Sequence, residues 1–177
     1  MTGLEALAAA MAAVDNPPMN PSTLTITSIT TGEEAQAFRT LNEEWISHLF
    51  AIEESDRKTL SDPFAAIVDP GGDVLIVRDE AKIVGCVALV RSSDDVFELS
   101  KMAVTPAVRG KGIGRQLIQA AIDRARTLGA TTLFLGSSTK LPNAVRLYES
   151  AGFKHVSPEQ IPLAPYARAN VFMQMAL

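Results

Sequence analysis

Thr105 to Leu117 read TPAVRGKGIGRQL. Gly110, Gly112 and Gly114 alternate with Lys111 and Ile113, and a helical pattern begins at once. Glycine weakens helices and strands alike, so three of them at a strand-to-helix junction need a local reason. The first turn of a helix carries unpaired N–H groups and partial positive charge. Residues without a β-carbon let successive N–H groups converge on phosphate oxygens. Arg109, Lys111 and Arg115 add full positive charge around the same turn. The stretch is therefore expected to hold a phosphate or pyrophosphate through its main chain. Two nucleotide signatures do not fit: G-x-x-x-x-G-K-[ST] is absent, and the glycine spacing is not G-x-G-x-x-G.

Outward from this turn, the periodicities alternate between strand and helix. Before it, VFELSKMAV (Val96 to Val104) reads as a strand with Phe97, Leu99 and Lys101 on one face and Glu98, Ser100 and Met102 on the other. After it, Ile113, Leu117, Ile118, Ala121, Ile122, Ala125 and Leu128 give a helix one apolar face, closed by Gly129. TTLFLGSS reads as a strand and LPNAVRLYESAG as a short helix. FKHVS and ANVFMQMAL read as strands joined by the loop PEQIPLAPYAR. Upstream, TLTITSIT is a half-buried strand, and Thr31-Gly32-Glu33-Glu34 opens a helix expected to bury Phe38, Leu41, Trp45 and Leu49. Residues 51–69 are irregular and acid-rich, and DVLIVRD and KIVGCVALV form a hairpin about Glu80-Ala81. The order implies a mixed α/β sheet with helices on its faces.

The length of 177 residues suits one domain with a full core. A net charge of −4 and a pI near 5.2 argue against a nucleic-acid partner, which requires clustered Lys and Arg. Cys86 is the single cysteine and lies in an apolar run, so it is expected to be a core thiol. His48 and His155 are the only histidines and no zinc-type spacing occurs, so no metal is expected. Met1 to Pro21 read as an N-terminal appendage, helical or disordered, with the folded domain spanning residues 22–177. Its apolar part is led by Glu5 rather than Lys or Arg and is too short to cross a bilayer. No membrane partner is expected, and a cytoplasmic location is the default.

Arg109 to Gly114 resemble the R-x-x-G-x-G/A turn of the GNAT superfamily, the acetyl-CoA-dependent N-acetyltransferases. VFELSKMAVTP resembles that family's fourth strand entering the turn. Asn143 to Phe153, NAVRLYESAGF, resemble its downstream N-x-x-x-x-LYE-x-x-GF element. The resemblance implies a single α+β domain with a mixed, mostly antiparallel sheet of six or seven strands and about four helices. It implies acetyl-CoA as cosubstrate, with the pyrophosphate on Arg109, Gly110, Lys111, Gly112, Ile113, Gly114 and Arg115. The pantetheine arm would run along Met102, Ala103 and Val104, beside TTLFLGSS, and Asn143 matches a position that contacts it.

The same resemblance implies direct attack of an amine on the thioester. Glu98 is the candidate to take the amine's proton, or to hold the ammonium by charge. A main-chain N–H near Met102 to Val104 would serve the carbonyl oxygen. Tyr148 is the candidate donor to the departing thiolate. The acceptor is expected to be a small-molecule amine, met by NEEWISHLFAIEESD and PEQIPLAPYAR. Glu43, Glu44, Glu53, Glu54 and Asp56 would suit a cation, although most are expected to be surface charges. Tyr166 and Arg168 are expected to reach across the site mouth, Arg168 toward a carboxylate. An amino acid, a polyamine, an aminoglycoside and a protein N-terminus all remain open. The alternative to an enzyme is a non-catalytic acyl-CoA-binding sensor or interaction module. Proteins of this type often pair, so a homodimer is among the expected states.

Overall fold

The computed structural model describes residues 24–162 and 166–177; the expected appendage lies outside the described residues. Threonines alternating with Leu24 and Ile26 make β1 (Leu24–Ser28) a half-exposed strand at the edge of the sheet. Helix α1 (Gly32–Leu49) starts where the sequence says it should. Thr31 Oγ1 accepts from the Glu34 N–H, and the Glu34 carboxylate accepts from the Thr30 and Thr31 N–H groups, a reciprocal cap. Arg78 pairs with the same carboxylate. The Thr30 N–H is the main reason that the Glu34 carboxyl sits at about 2.

The buried stripe of α1 differs from expectation. Phe38, Asn42 and Ile46 face the core, whereas Leu41 and Trp45 are half-buried and Leu49 is exposed. The polar residue in the stripe is satisfied: Asn42 Nδ2 donates to the Phe38 carbonyl at 3.0 Å and to Cys86 Sγ at 3.4 Å, and Oδ1 accepts from the Trp45 indole. Cys86 is buried, and burial pushes its thiol up to about 12, as a core thiol requires. Leu41 and Trp45 still pack against this core with one side, and Leu49 stays exposed.

The irregular acidic segment contains a second helix, α2 (Glu54–Ser61), followed by a π-helical turn at Phe64–Val68. Strands β2 (Asp73–Asp79) and β3 (Lys82–Arg91) form the predicted hairpin, with Glu80 at φ 53° in its turn. Then follow β4 (Val96–Val104), a 3-10 turn at Pro106–Val108, α3 (Ile113–Thr127), β5 (Thr132–Ser137), α4 (Pro142–Ala151), β6 (Lys154–His155) and β7 (Val171–Ala176). The seven strands make one mixed sheet in the order β1-β2-β3-β4-β5-β7-β6, antiparallel except for β4 with β5. One face packs under α3 and α4; the other packs under α1, α2 and the π-helical turn. No described helix is long and apolar enough to cross a membrane.

Two irregularities of β4 matter most. Opposite β3 its register slips: Ala88 faces Ser100 but Cys86 faces Ala103, so two residues of β4 lie across from one of β3. Lys101 takes up the slack with φ 51°. The bulge turns Lys101 to the Glu98 side and sends Met102 to the Phe97 side, against the expected strict alternation. Opposite β5, pairing runs from Val96–Thr132 to Glu98–Phe134 and then stops, while β5 continues with β7 as far as Ser137.

Asp73 joins β1, β2 and α3. Its Oδ2 accepts from Ser28 Oγ and Arg124 Nε, both at 2.6 Å, and its Oδ1 from the Val74 N–H at 2.8 Å. The carboxylate is buried, but the Arg124 side chain is 39% exposed, which weakens its share. Asp73→Ala is expected to lower unfolding free energy by about 2–3 kcal/mol. Asp73→Asn, which keeps the acceptor oxygen, should cost less in the same denaturant titration.

Candidate functional site

Where β4 and β5 part, a cavity of about 1020 Å³ opens between them. Glu98, Met102, Ala103 and Val104 line it from β4, and Gly136 and Ser137 from β5. The glycine turn forms one end. Gly110 and Gly112 have φ +80° and +79°, a region that side chains disfavour, and no neighbouring atom would obstruct a β-carbon there. Backbone conformation is therefore what demands these two glycines. Gly112 caps α3 with no side-chain hydrogen bond and no acid in the first turn. Arg109 Nε donates to the Val104 carbonyl at 2.9 Å, folding the turn back onto the strand. Arg109 and Arg115 both line the cavity. The uncapped helix end and these cations make this half electropositive, a place suited to phosphate.

Gly114 is needed for another reason. A β-carbon there would stand 3.0 Å from Leu147 Cδ2 of α4, so this glycine serves the contact between two helices. Ile113 is buried in the core beneath it. Lys111 is exposed and, alone among the residues expected around the phosphate, is not part of the lining. Asn143 lines the cavity from the exposed start of α4, its Oδ1 accepting from Arg146 at 3.3 Å. Tyr148, one turn further, reaches Met102 Sδ with its hydroxyl at 3.9 Å and packs edge-on against Phe153. Burial pushes its phenol up to about 12.

The other half of the cavity is built from distant segments. Lys101 Nζ donates to Asp56 Oδ1 at 2.8 Å and to the Tyr166 hydroxyl at 2.5 Å. Arg168 grips both Asp56 oxygens at 2.7 and 2.8 Å and reaches Glu53 at 3.2 Å. Burial pushes the Asp56 carboxyl up, but Arg168 and Lys101 outweigh it and hold the group at about 2. Burial likewise draws the Lys101 ammonium below the usual lysine range, with Asp56 opposing. Glu98 lies on the same side of β4 with no such partner. Burial raises its carboxyl to about 7, moderated by the charge of Lys101.

Residues 35–153 match the acetyltransferase (GNAT) family model, more than half of the chain. The chain belongs to the GNAT acetyltransferase family. It is 34% identical over 106 residues to the uncharacterized N-acetyltransferase YjgM of Escherichia coli, covering 55% of this chain and 64% of that protein. An uncharacterized N-acetyltransferase of Schizosaccharomyces pombe is 29% identical, over 86% of this chain and 98% of its own. Among solved structures, yncA of Salmonella typhimurium, determined with its cofactor acetyl-CoA, is 26% identical with a TM-score of 0.68, covering 87% of this chain and 94% of that one.

Within this GNAT domain the candidate residues Glu98, Tyr148, Asn143 and the β4 end converge on one cavity, with Tyr166 and Arg168 at its far side. Of the acids expected to suit a cation, Glu44 lines the cavity and the other four do not. Glu43 pairs with Arg39, Glu53 and Asp56 pair with Arg168, and Glu54 is exposed beside Arg57. Arg168, expected to read a carboxylate, has most of its fork on Asp56. Sequence reading missed Lys101, which a bulge delivers; it placed Trp45 and Phe50 in the segment expected to meet the acceptor, without singling out their edge-on pair. Only the acid spacing of α2 could have hinted at Asp56.

The raised Glu98 carboxyl has a consequence for stability. The folded state holds this proton more tightly than the unfolded chain, so its contribution is full below pH 4.5 and is lost as pH rises through about 7. Glu98→Gln removes a group whose ionisation opposes folding. The variant should be more stable than wild type at alkaline pH by up to about 3 kcal/mol, the gap closing toward pH 4.5. Thermal unfolding across that pH range measures it.

Proposed function

We propose that this protein transfers the acetyl group of acetyl-CoA to the primary amine of a small molecule, by direct attack within a ternary complex. One observation carries the reading: the gap between β4 and β5 runs from an uncapped, glycine-opened helix end to a buried, partnerless carboxyl. Family membership and the acetyl-CoA described with the Salmonella neighbour support the same ligand. Acetyl-CoA, when bound, supplies an activated acyl thioester; the chain's own residues position it and move protons.

The N–H groups from Arg109 to Gly114 hold the pyrophosphate, with Arg109, Lys111 and Arg115 supplying charge. Main-chain groups of Met102, Ala103 and Val104, released from pairing with β5, bind the pantetheine arm, and Asn143 flanks it. Glu98 accepts the proton from the incoming ammonium. A carboxyl near 7 is half-ionised at neutral pH, which suits a base that must both take and release a proton. Tyr148, whose phenol keeps its proton until about 12, donates to the thiolate as it departs. Among the described residues its hydroxyl donates to a thioether, a weak acceptor that a thiolate readily displaces.

Calorimetry with acetyl-CoA, followed by thiol release over a panel of amines, tests the proposal. Glu98→Gln should lower kcat by about 10²–10³-fold, and the wild-type rate should rise with pH through about 7. Tyr148→Phe should slow turnover by about 10²-fold or less without weakening acetyl-CoA binding. Gly112→Glu, which forces a strained φ and brings a carboxylate to the turn, should abolish that binding. A wild-type protein with no affinity for coenzyme A overturns the reading, and binding without thiol release from any amine points to the sensor.

A further inference from the structure

The half of the cavity facing away from the glycine turn has a distinctive composition. Trp45 and Phe50 meet edge-on, ring centres 6.4 Å apart, with Leu41 beside them in the lining. Lys140 Nζ sits 5.4 Å above the Phe50 ring, and the Arg168 guanidinium 5.9 Å from the same ring and 4.4 Å from that of Tyr166. Lys101 lies 4.1 Å over Tyr166. The faces of Phe50 and Tyr166 are thus already covered by the protein's own cations. An incoming polycation would find those faces occupied; Lys101 and Arg168 are paired with Asp56 and Glu53, and Lys140, with no ion pair among the described residues, would repel it. Carboxylates in the lining are few: Glu98 on β4 and the exposed Glu44 on α1. Asp56 and Glu53, which could have attracted a cation, lie behind Lys101 and Arg168 and are bound to them.

We propose that the acetyl acceptor is a free α-amino acid with a large apolar side chain, its carboxylate turned toward Arg168 and Lys140 and its side chain against Trp45 and Phe50. This rests on the acyl-transfer reading of the cavity. Glu98 takes one ammonium proton, and the amino nitrogen forms its bond to the acetyl carbon as the carbon–sulfur bond breaks; Tyr148 protonates the departing thiolate, and the second proton shed by the nitrogen restores the phenol, leaving a neutral amide and the free thiol. Arg168 is held in place by two bonds to Asp56 and one to Glu53 and still offers further N–H groups. Lys140 is exposed at the rim and adds long-range charge. The aromatic wall accounts for the apolar side chain, which a purely polar amine would leave desolvating rings without return.

The chain's single tryptophan is Trp45, so its fluorescence reports on this half of the cavity without any turnover. L-leucine and isopentylamine, which differ only by the carboxylate, are titrated into the coenzyme A complex, and their kcat/KM values are measured alongside leucinamide and spermidine. Leucine is expected to bind and react about 10–100-fold better than isopentylamine, the value of a charge-assisted hydrogen bond. Lys140→Met should weaken leucine binding by about 2–5-fold and leave isopentylamine unchanged. Equal binding of leucine and isopentylamine, a preference for spermidine, leucinamide as good as leucine, or an unaltered leucine affinity in Lys140→Met would each overturn the assignment. If isopentylamine or spermidine releases thiol as fast as leucine, acyl transfer stands and only the acceptor class falls. If no amine releases thiol, the acyl-transfer reading fails first.

Discussion

The separation of β4 from β5 after Glu98 and Phe134 is the constraint on which the other features depend. Each strand stays anchored on its far side, β4 to β3 and β5 to β7, so the sheet remains continuous while its centre opens. Backbone groups that face such a gap have lost their ladder partners and must find others. On the proposed reading, the amides of the pantetheine arm are those partners. The bulge at Lys101 belongs to the same event. An extra residue on one side of β4 increases its local twist, which carries the strand away from β5 and aims it at the glycine turn.

Two carboxyl groups near that bulge have opposite fates. Asp56 is fully buried yet is held at about 2, because Arg168 grips both oxygens and Lys101 adds a third bond. Glu98 is buried on the neighbouring strand without such donors and rises to about 7. Lys101 takes part in both: it completes the Asp56 cluster and its charge tempers the rise at Glu98. The separation of the two values is set by surroundings rather than residue type: one carboxyl is a permanent anion of the architecture, and the other titrates near neutrality, as the proposed base requires. Burying a lysine at φ 51° is costly, and the fixed anion of Asp56 offsets part of that cost.

The glycine turn, α3 and the strands were legible because each is declared by neighbours in sequence: a capping residue, a period of 3.6 or of 2, a closing glycine. The Thr31 cap and the β2–β3 hairpin were legible for the same reason. What escaped reading was set by contacts between distant residues. Strict alternation extrapolated along VFELSKMAV puts Lys101 on the wrong face, since nothing in the residues announces a bulge. The stripe of α1 was misjudged because Asn42 looks polar, yet it is buried against Cys86 some 44 residues away. Gly114 looked like a third member of the phosphate turn, whereas Leu147 of a later helix is what excludes its side chain. Most of the acids from Glu43 to Asp56 were expected to be surface charges, yet Asp56 is fully buried, gripped by Arg168 112 positions beyond it.

This division between local and distant construction has a bearing on how such a site can change. The phosphate-facing half is assembled within a dozen consecutive residues, from Val104 to Arg115, with its hydrogen bond from Arg109 to Val104 spanning five positions. The opposite half is stitched from α1, the start of α2, the bulge of β4 and the segment before β7, through bonds of long sequence separation. The start of α2 and the segment before β7 lie at an element's end or in a loop, whereas the bulge lies within β4 and is buried. Charge balance then restricts which exchanges are tolerated: loss of Asp56 would leave Lys101 and Arg168 buried together, so the three must change as a set. On the proposed reading, a cofactor grip of local construction and an acceptor wall of distant construction follow from the way the chain is threaded.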